Sequence, residues 1–452
     1  MTLQFIKGNA FHTPNYGELV YLEEALIQLD ENGFIQAVWT KEDSQYQTKL
    51  EEASHSNAFK ELEEGQYLLP GFIDLHIHAP QWPQAGVALD DPLNVWLDEC
   101  TFPLEAKYSD IEFSREVYTD LVKQLLARGT TTALYFATVH LESSYLLAEL
   151  CAELGQRGLV GKVVMDNPGE VPDFYRDQST DSAIEDTVEF IKRVRKLNER
   201  TIQGVYPVVT PRFVPSCSDE ALRRLGQVAK KYDVHVQSHC SEGEWQHQYV
   251  IDRFGKHDTE VLRDFGLLGS KTVMAHCNFM DEADAQIFKE TGTAMGHCPI
   301  SNAYFANAVL PVKKFKEMGV EIGLGTDISG GFSPSLYDNL KQTVILSRTL
   351  EDGVDASLSS KDRGVPSSRV SMVEAFYLVT KGGGRSLDLS VGSFEVGSSF
   401  DAQIVDTNTK LNPIPNFGMY SSPVHLLEKI LYQTLPVNIQ EVWVQGRKVH
   451  QL

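Results

Sequence analysis

Apolar, β-branched runs recur along the middle of the chain, and most of them end in polar or ionisable residues. Eight stand out, at residues 71–78, 131–136, 162–166, 205–210, 234–239, 271–276, 293–297 and 321–327. Short apolar runs bounded by turn residues read as buried strands. Amphipathic stretches of helical period lie between several of them, at 116–127, 183–197 and 219–231. Ser218, Asp219 and Glu220 make a good helix start for the last. Eight such alternations predict an α/β fold, a parallel (β/α)8 TIM-like barrel over residues 69–390. In that fold the C-terminal strand ends face the mouth, and the polar ends of these runs are mostly C-terminal. A doubly wound open sheet is the competing architecture, but it brings no ring of strand ends together.

The two chain ends differ from this middle. Strand-like pieces occur at 3–7, 17–22 and 34–39, and again at 400–406 and 442–449. The last contains Gln445-Gly446, a hairpin-turn pair. Residues 1–68 and 391–452 are therefore expected to build one small discontinuous β-sandwich domain, with the barrel inserted between them. The run Gly382-Gly-Gly384 is expected to stop a helix near the end of the barrel. The connection over 79–114 is long for a βα loop and predicts a lid at the mouth.

Candidate chemistry sits at the strand ends. His76 and His78 close the first run. Residues i and i+2 of a strand share a face, so both imidazoles reach one point. Alone, such a pair is more often structural or incidental than a ligand pair. His239, His276 and Asp327 change the picture, because they close the fifth, sixth and eighth runs. Neutral imidazoles and a carboxylate at one level of a barrel mouth suit a divalent cation, zinc first and iron second. Hydrolysis at such a site also needs a proton shuttle. Glu242, shortly after His239, is a candidate, although a carboxylate there equally suits the first turn of a helix. Cys240, Cys277 and Cys298 each follow a histidine and are expected to point away as packing residues. His297 is expected to support the site from behind, and His235 to be a polar residue of the barrel interior. No HExxH, phosphate-binding loop or cytidine-deaminase zinc pattern is present.

Composition narrows the partners. Acidic residues number 62 against 40 basic ones, a net charge of −22, which disfavours nucleic acid. No apolar run reaches about 18 residues, so no membrane-spanning helix is expected. The first residues lack the regions of a signal peptide. Six cysteines in 452 residues, none spaced as CxxC, make no disulfide framework and point to a reducing cytoplasm.

Longer motifs sharpen this reading. They are Pro-Gly-Phe-Ile-Asp-Leu-His-Ile-His-Ala-Pro-Gln over 70–81, Val-Thr-Pro-Arg-Phe over 209–213, Gln-Ser-His-Cys-Ser-Glu over 237–242, Thr-Val-Met-Ala-His over 272–276, Gly-His-Cys-Pro-Ile-Ser-Asn over 296–302 and Gly-Leu-Gly-Thr-Asp over 323–327. With them the chain resembles the guanine deaminase group of the amidohydrolase superfamily, from about residue 68 to 390. His-x-His and Gly-Thr-Asp mark only the superfamily; His-Ala-Pro-Gln and Thr-Pro-Arg-Phe are the specific part. The resemblance implies one zinc ion held by His76, His78, His239 and Asp327. It implies that Asp327 takes the proton of the attacking water, that His276 orients that water or the substrate, and that Glu242 passes the proton to a purine ring. Gln81, Arg212 and Phe213 would hold the base, guanine, and the products would be xanthine and ammonia. The family's usual His-Ile-Ser-Glu is His-Cys-Ser-Glu here, a change between the implied catalytic positions. Some superfamily members bridge two metals with a modified lysine at the fourth strand's end; this chain has Thr-Pro-Arg there, so one metal is expected. A homodimer is implied as well. The nearest alternative is hydrolysis of another heterocycle, such as an oxidised guanine, a pterin or a triazine. An alternative of another class is a metal-free scaffold.

Overall fold

The computed structural model describes residues 3–452. The N-terminal part holds strands β1 (Phe5–His12), β2 (Val20–Leu29), β3 (Ile35–Trp39), β4 (Phe59–Glu61) and β5 (Gln66–Pro70). Eight strands follow, β6 (Phe72–His78), β7 (Thr130–Phe136), β8 (Arg157–Val164), β9 (Val205–Pro211), β10 (His235–Cys240), β11 (Thr272–His276), β12 (Ala294–His297) and β13 (Ile322–Leu324). The chain closes with β14 (Ala402–Asp406), β15 (Ile439–Val444) and β16 (Arg447–Gln451).

Strands β6 to β13 pair in parallel, each with its sequence neighbour. The ring closes just beyond the last strand. Asp327 N donates to His76 O, and His78 N donates to Ile328 O, both at 2.8 Å. Buried Asp74 supports this seam by accepting from Thr326 N at 3.0 Å and from Thr326 Oγ1 at 2.6 Å. The approach is close enough to require glycine at 325, where a Cβ would lie 2.7 Å from His76 Cβ. The first and eighth strands thus meet through the residues that carry the candidate chemistry. A local irregularity of β6 between Asp74 and Ile77 turns Leu75 into the apolar layer with Leu134, Leu159 and Val273. His76 and His78 then face the mouth.

The predicted helical stretches are realised as Ile111–Leu126, Thr180–Asn198 and Asp219–Tyr232. Ser218 Oγ caps the last by accepting from Ala221 N. The third barrel strand differs from expectation. It starts at Arg157, ahead of the run at 162–166, because Arg157 and two glycines interrupt the apolar pattern of its first half.

Both chain ends build one mixed sheet, in the order β16-β15-β14-β5-β1-β2-β3 with β4 beside β1. The sandwich outline arises because this sheet rolls over its own core of Ile6, Ile27, Leu68, Phe400 and Trp443. Ile35 N donates to Ser398 O and Gly397 N to Ile35 O, each at 2.8 Å, which brings β3 back to the segment before β14. Gln445 and Gly446 both have positive φ, the turn that matches the twist of a two-residue hairpin.

The glycines at 382–384 do not stop a helix. They lie inside the helix Lys381–Ser386, and the preceding helix ends at Val379. Close packing explains them: a Cβ on Gly383 would sit 2.9 Å from Ile73, and one on Gly384 2.6 Å from Val391 O. The long connection after β6 is ordered into short helical turns, Ala79–Gln84, Leu93–Trp96, Leu97–Thr101, Phe102–Glu105 and Ala106–Ser109. Among the described residues no helix is long and apolar enough to cross a membrane.

Candidate active site

Four strand ends bring the histidines and Asp327 together. His78 Nε2 and His239 Nε2 face each other at 3.0 Å. Asp327 Oδ1 lies 3.2 Å from His76 Nε2 and 3.6 Å from His78 Nε2. Arg212 O accepts the Nδ1 proton of His239 at 2.5 Å, which leaves the Nε2 lone pair of His239 directed at the cluster. His276 is fixed in the same way by Asn302 Oδ1, 2.9 Å from its Nδ1. His76 Nε2 and His276 Nε2 are buried with no hydrogen-bond partner. Burial first, and the neighbouring imidazoles next, hold His76, His78 and His239 well below the usual histidine range. Neutral imidazoles with converging, unpartnered lone pairs and one carboxylate are what a zinc-type cation needs, so the residues fit the implied metal.

Backbone geometry helps to aim these groups. Ser241, His276 and Asp327 all leave their strands in the left-handed conformation, which costs about 1–2 kcal/mol for a residue with a Cβ. Such strain concentrates where a side chain must be held at one angle. His276 Nε2 stands 3.7 Å from Glu242 Oε1 and 3.9 Å from Asp327 Oδ2, so an imidazole and two carboxylates surround one small space. Burial pushes Glu242 up to about 8, and the nearby Asp327 adds to this. Burial also raises Asp327, against the pull of His276. Glu242 is thus held as the protonated acid around neutral pH, although a bound cation would draw it down again.

These groups open on a cavity that Gln81, Arg212, Phe213, Trp96 and Phe305 also line. Gln81 is held at both ends of its amide. Its Oε1 accepts from Ser329 N at 3.2 Å and its Nε2 donates to Glu105 Oε1 at 2.8 Å. Arg212 is fully buried and forms a two-pronged ion pair with Glu105, Nη1 to Oε2 at 2.6 Å and Nη2 to Oε1 at 3.2 Å. The Phe213 ring lies 6.0 Å from that of Trp245 at the rim. The cavity therefore has polar groups fixed along one side, an aromatic face, and the titratable cluster at its floor. A flat, polar ring is the shape of ligand it fits.

The residues singled out as metal ligands, catalytic groups or base holders (His76, His78, Gln81, Arg212, Phe213, His239, Glu242, His276 and Asp327) all fall in this one region. Glu105 and Asn302 were not singled out, nor were the rim residues Trp96, Trp245 and Phe305. An arginine this buried requires a carboxylate, which is the signal that would have prompted a search for Glu105. Cys298 is a correction: its Sγ lies within 4.8 Å of the ligand nitrogens of His76 and His276 and does not point away, because β12 has just ended at His297. Cys240 and Cys277 are buried packing residues. His235 bonds the Leu387 carbonyl at 2.8 Å, far from the mouth, and His297 is buried with its Nδ1 unpartnered.

A model of the amidohydrolase family matches residues 67–449. The guanine deaminase of Dictyostelium discoideum is 35% identical over 458 aligned positions, covering 99% of this chain and 98% of that protein. The guanine deaminase of Homo sapiens is 36% identical over 451 positions, 98% of this chain and 96% of that protein. Among solved structures, guanine deaminase from C. acetobutylicum, with guanine bound in its active site, superposes with a TM-score of 0.86 at 30% identity, over 99% of this chain and 100% of that one. The chain belongs to the amidohydrolase family and, within it, to the group of the guanine deaminases.

Proposed function

We propose that this protein is a zinc-dependent guanine aminohydrolase that converts guanine and water to xanthine and ammonia. One observation carries the reading: the fixed polar row of Gln81 and Arg212 and the proton-handling pair of Glu242 and Asp327 line the same cavity. His76, His78, His239 and Asp327 would hold one zinc ion. When bound, that ion acidifies water towards neutral pH and stabilises negative charge on oxygen.

The chain's own groups supply the rest. Guanine carries an acceptor oxygen at C6, and Arg212 offers N–H groups that never lose their proton. Adenine would place an amine against those donors, a mismatch worth about 10⁴–10⁵ in selectivity. Phe213 offers its face to the purine. Asp327 receives the proton of the water that adds to C2. Glu242, whose burial favours the protonated form, donates to the ring nitrogen on which charge builds as C2 becomes tetrahedral. His276, neutral and anchored by Asn302, holds the water between the two carboxylates. The proton on Asp327 then passes to the departing amine. As the C2–N bond breaks and ammonia leaves, the C2 hydroxyl gives its proton to the Glu242 carboxylate and becomes the carbonyl of xanthine, which restores both carboxyl groups.

A two-fold homodimer belongs to the same reading, supported by the prevalence of such assemblies. A sedimentation mass of one subunit would exclude it. For the reaction, the test is purified protein mixed with guanine, with xanthine followed by ultraviolet absorbance. Turnover is expected to vanish on chelation and to return with zinc. No xanthine from fully zinc-loaded protein would overturn the proposal.

A further inference from the structure

Glu105 has no place in the reaction just described. It does not line the cavity, yet it touches both residues that form the cavity's polar side. Its Oε2 accepts a hydrogen bond from Arg212 Nη1 and its Oε1 one from Arg212 Nη2, and Oε1 also accepts from Gln81 Nε2. The side chains of Arg212 and Glu105 are 3% and 0% exposed, so water does little to screen them. Phe102, one helical turn before Glu105, sets its ring 5.2 Å from the Arg212 guanidinium carbon. The short helix Phe102–Glu105 therefore holds the guanidinium by one edge and one face, and the remaining N–H groups are left for the cavity.

The consequence is electrostatic. A lone buried guanidinium would attract anions strongly. With Glu105 in direct contact, an approaching anion meets the carboxylate's repulsion together with the arginine's attraction, and the net pull is small. The directional N–H donors survive, and a neutral carbonyl needs only those. Guanine is neutral near neutral pH. Xanthine has two carbonyls flanking its ring N–H groups and loses a proton much more readily.

We propose that Glu105 is a charge-cancelling and positioning residue acting through Arg212, which makes the cavity select neutral carbonyl-bearing purines and reject anionic ones, the ionised deaminated product included. This rests on the reading of Arg212 as the group that meets the ring carbonyl. It gives the site a way to shed product: the species that leaves most easily is the one the reaction has made more acidic.

The test is direct calorimetric binding of xanthine and hypoxanthine to the zinc-loaded full chain between about pH 6 and about pH 8.5. Hypoxanthine has the same C6 carbonyl and stays largely neutral over this range. Titrations common to both complexes cancel in the ratio of the two dissociation constants. Glu242 and the bound cation also meet the anion, but they are present in the Glu105 variants as well, so the change in the ratio's pH dependence between wild type and variant reports the part of Glu105. In the wild type, the xanthine-to-hypoxanthine ratio is expected to rise about five- to tenfold across the range. Glu105→Gln, which leaves the arginine's charge uncancelled, is expected to flatten or invert that rise and to increase KM for guanine. Glu105→Asp keeps the charge but not the two-pronged reach, so it restores the rise while KM stays high. A purely structural role would lower stability and kcat without changing the pH dependence of the ratio. A flat ratio in the wild type overturns the inference whether or not any variant folds. A rise that persists in folded Glu105→Gln overturns the part assigned to Glu105. Should Glu105→Gln fail to fold, Glu105→Asp decides, since loss of the rise with the charge retained would contradict charge cancellation. If neither purine binds the wild type, the underlying reading of Arg212 falls; binding with a flat ratio sinks only this inference.

Discussion

Two buried arginine–carboxylate pairs stand at opposite ends of the barrel. Arg157, the first residue of β8, pairs with Asp401 and also donates to Thr132 Oγ1 at 3.1 Å, Ser399 Oγ at 3.0 Å and Gln445 Oε1 at 2.8 Å. Asp401, Ser399 and Gln445 come from the C-terminal part of the chain, so this arginine ties the barrel floor to the small sheet. Arg212, just past the end of β9, has Glu105 as its only ion-pair partner among the described residues and lines a cavity. Both guanidiniums are buried and both are compensated. They differ in how the protein engages their terminal nitrogens: those of Arg157 are shared among four protein residues, whereas those of Arg212 meet Glu105 and border a cavity. Buried polar groups are normally partnered, so a buried arginine with donors to spare points to a binding site, and one shared among many protein acceptors to a structural joint.

The sharpest way to break this comparison is to remove each arginine in turn. Arg212→Ala is expected to lower kcat/KM for guanine by about 10³-fold or more, with zinc content by atomic absorption unchanged. Unchanged turnover would remove Arg212 from substrate recognition. Arg157→Ala is expected to act on the other axis. It leaves Asp401 buried and unpaired, which costs about 3–5 kcal/mol and would be read as a lower urea midpoint. Activity per folded molecule should stay close to the wild type. A folded Arg157→Ala protein of full stability but low activity would erase the distinction.

The pH profile separates the two ends again, by a smaller amount. Glu242 is needed as an acid, so kcat should fall as pH rises through its pKa in the zinc-loaded enzyme, which burial raises and the bound cation lowers. The fall is about tenfold per pH unit once the group is fully ionised. Glu242→Gln should remove this alkaline limb along with most activity, since general acid–base groups contribute about 10²–10⁴-fold. Arg157→Ala, altered at the far end, should keep the limb in place. A limb that persists in Glu242→Gln would assign the titration to another group.

These two ends were not equally legible in the amino-acid sequence. The mouth was readable because its histidines and Asp327 combine two local signals, a strand end and a shared face. The barrel order followed from the apolar runs for the same reason. The floor was not: Arg157 breaks its strand's apolar pattern, and its ion-pair partner Asp401 lies 244 residues away, just before a strand of the other sheet. Glu105 was missed on similar grounds, since 107 residues separate it from Arg212 and no spacing rule spans that distance. The glycines at 382–384 misled because a glycine run normally signals flexibility or a cap, whereas here it permits backbone to lie against Ile73 and Val391. Local periodicity reports which face a residue takes; which distant residue it meets there is a tertiary fact.

The smallest test asks whether burial, and not charge pairing as such, gives the two arginines their weight. His257 Nδ1 lies 2.9 Å from Asp284 Oδ2; about a third of the imidazole is exposed, while the carboxylate is buried, so solvent reaches the pair from the histidine side. That hydrogen bond raises the histidine's pKa above the usual value, and nearby carboxylates add to it. A group whose folded pKa is raised stabilises the fold fully below its unfolded value of about 6.5, and that contribution fades as pH rises through the folded value. Solvent screening keeps such a pair below about 1 kcal/mol. Urea midpoints of the wild type and His257→Gln should therefore differ slightly at about pH 5.5 and converge by about pH 8.5. A difference as large as that of Arg157→Ala would mean that an exposed pair matches a buried one, and the contrast between the barrel's two ends would lose its physical basis.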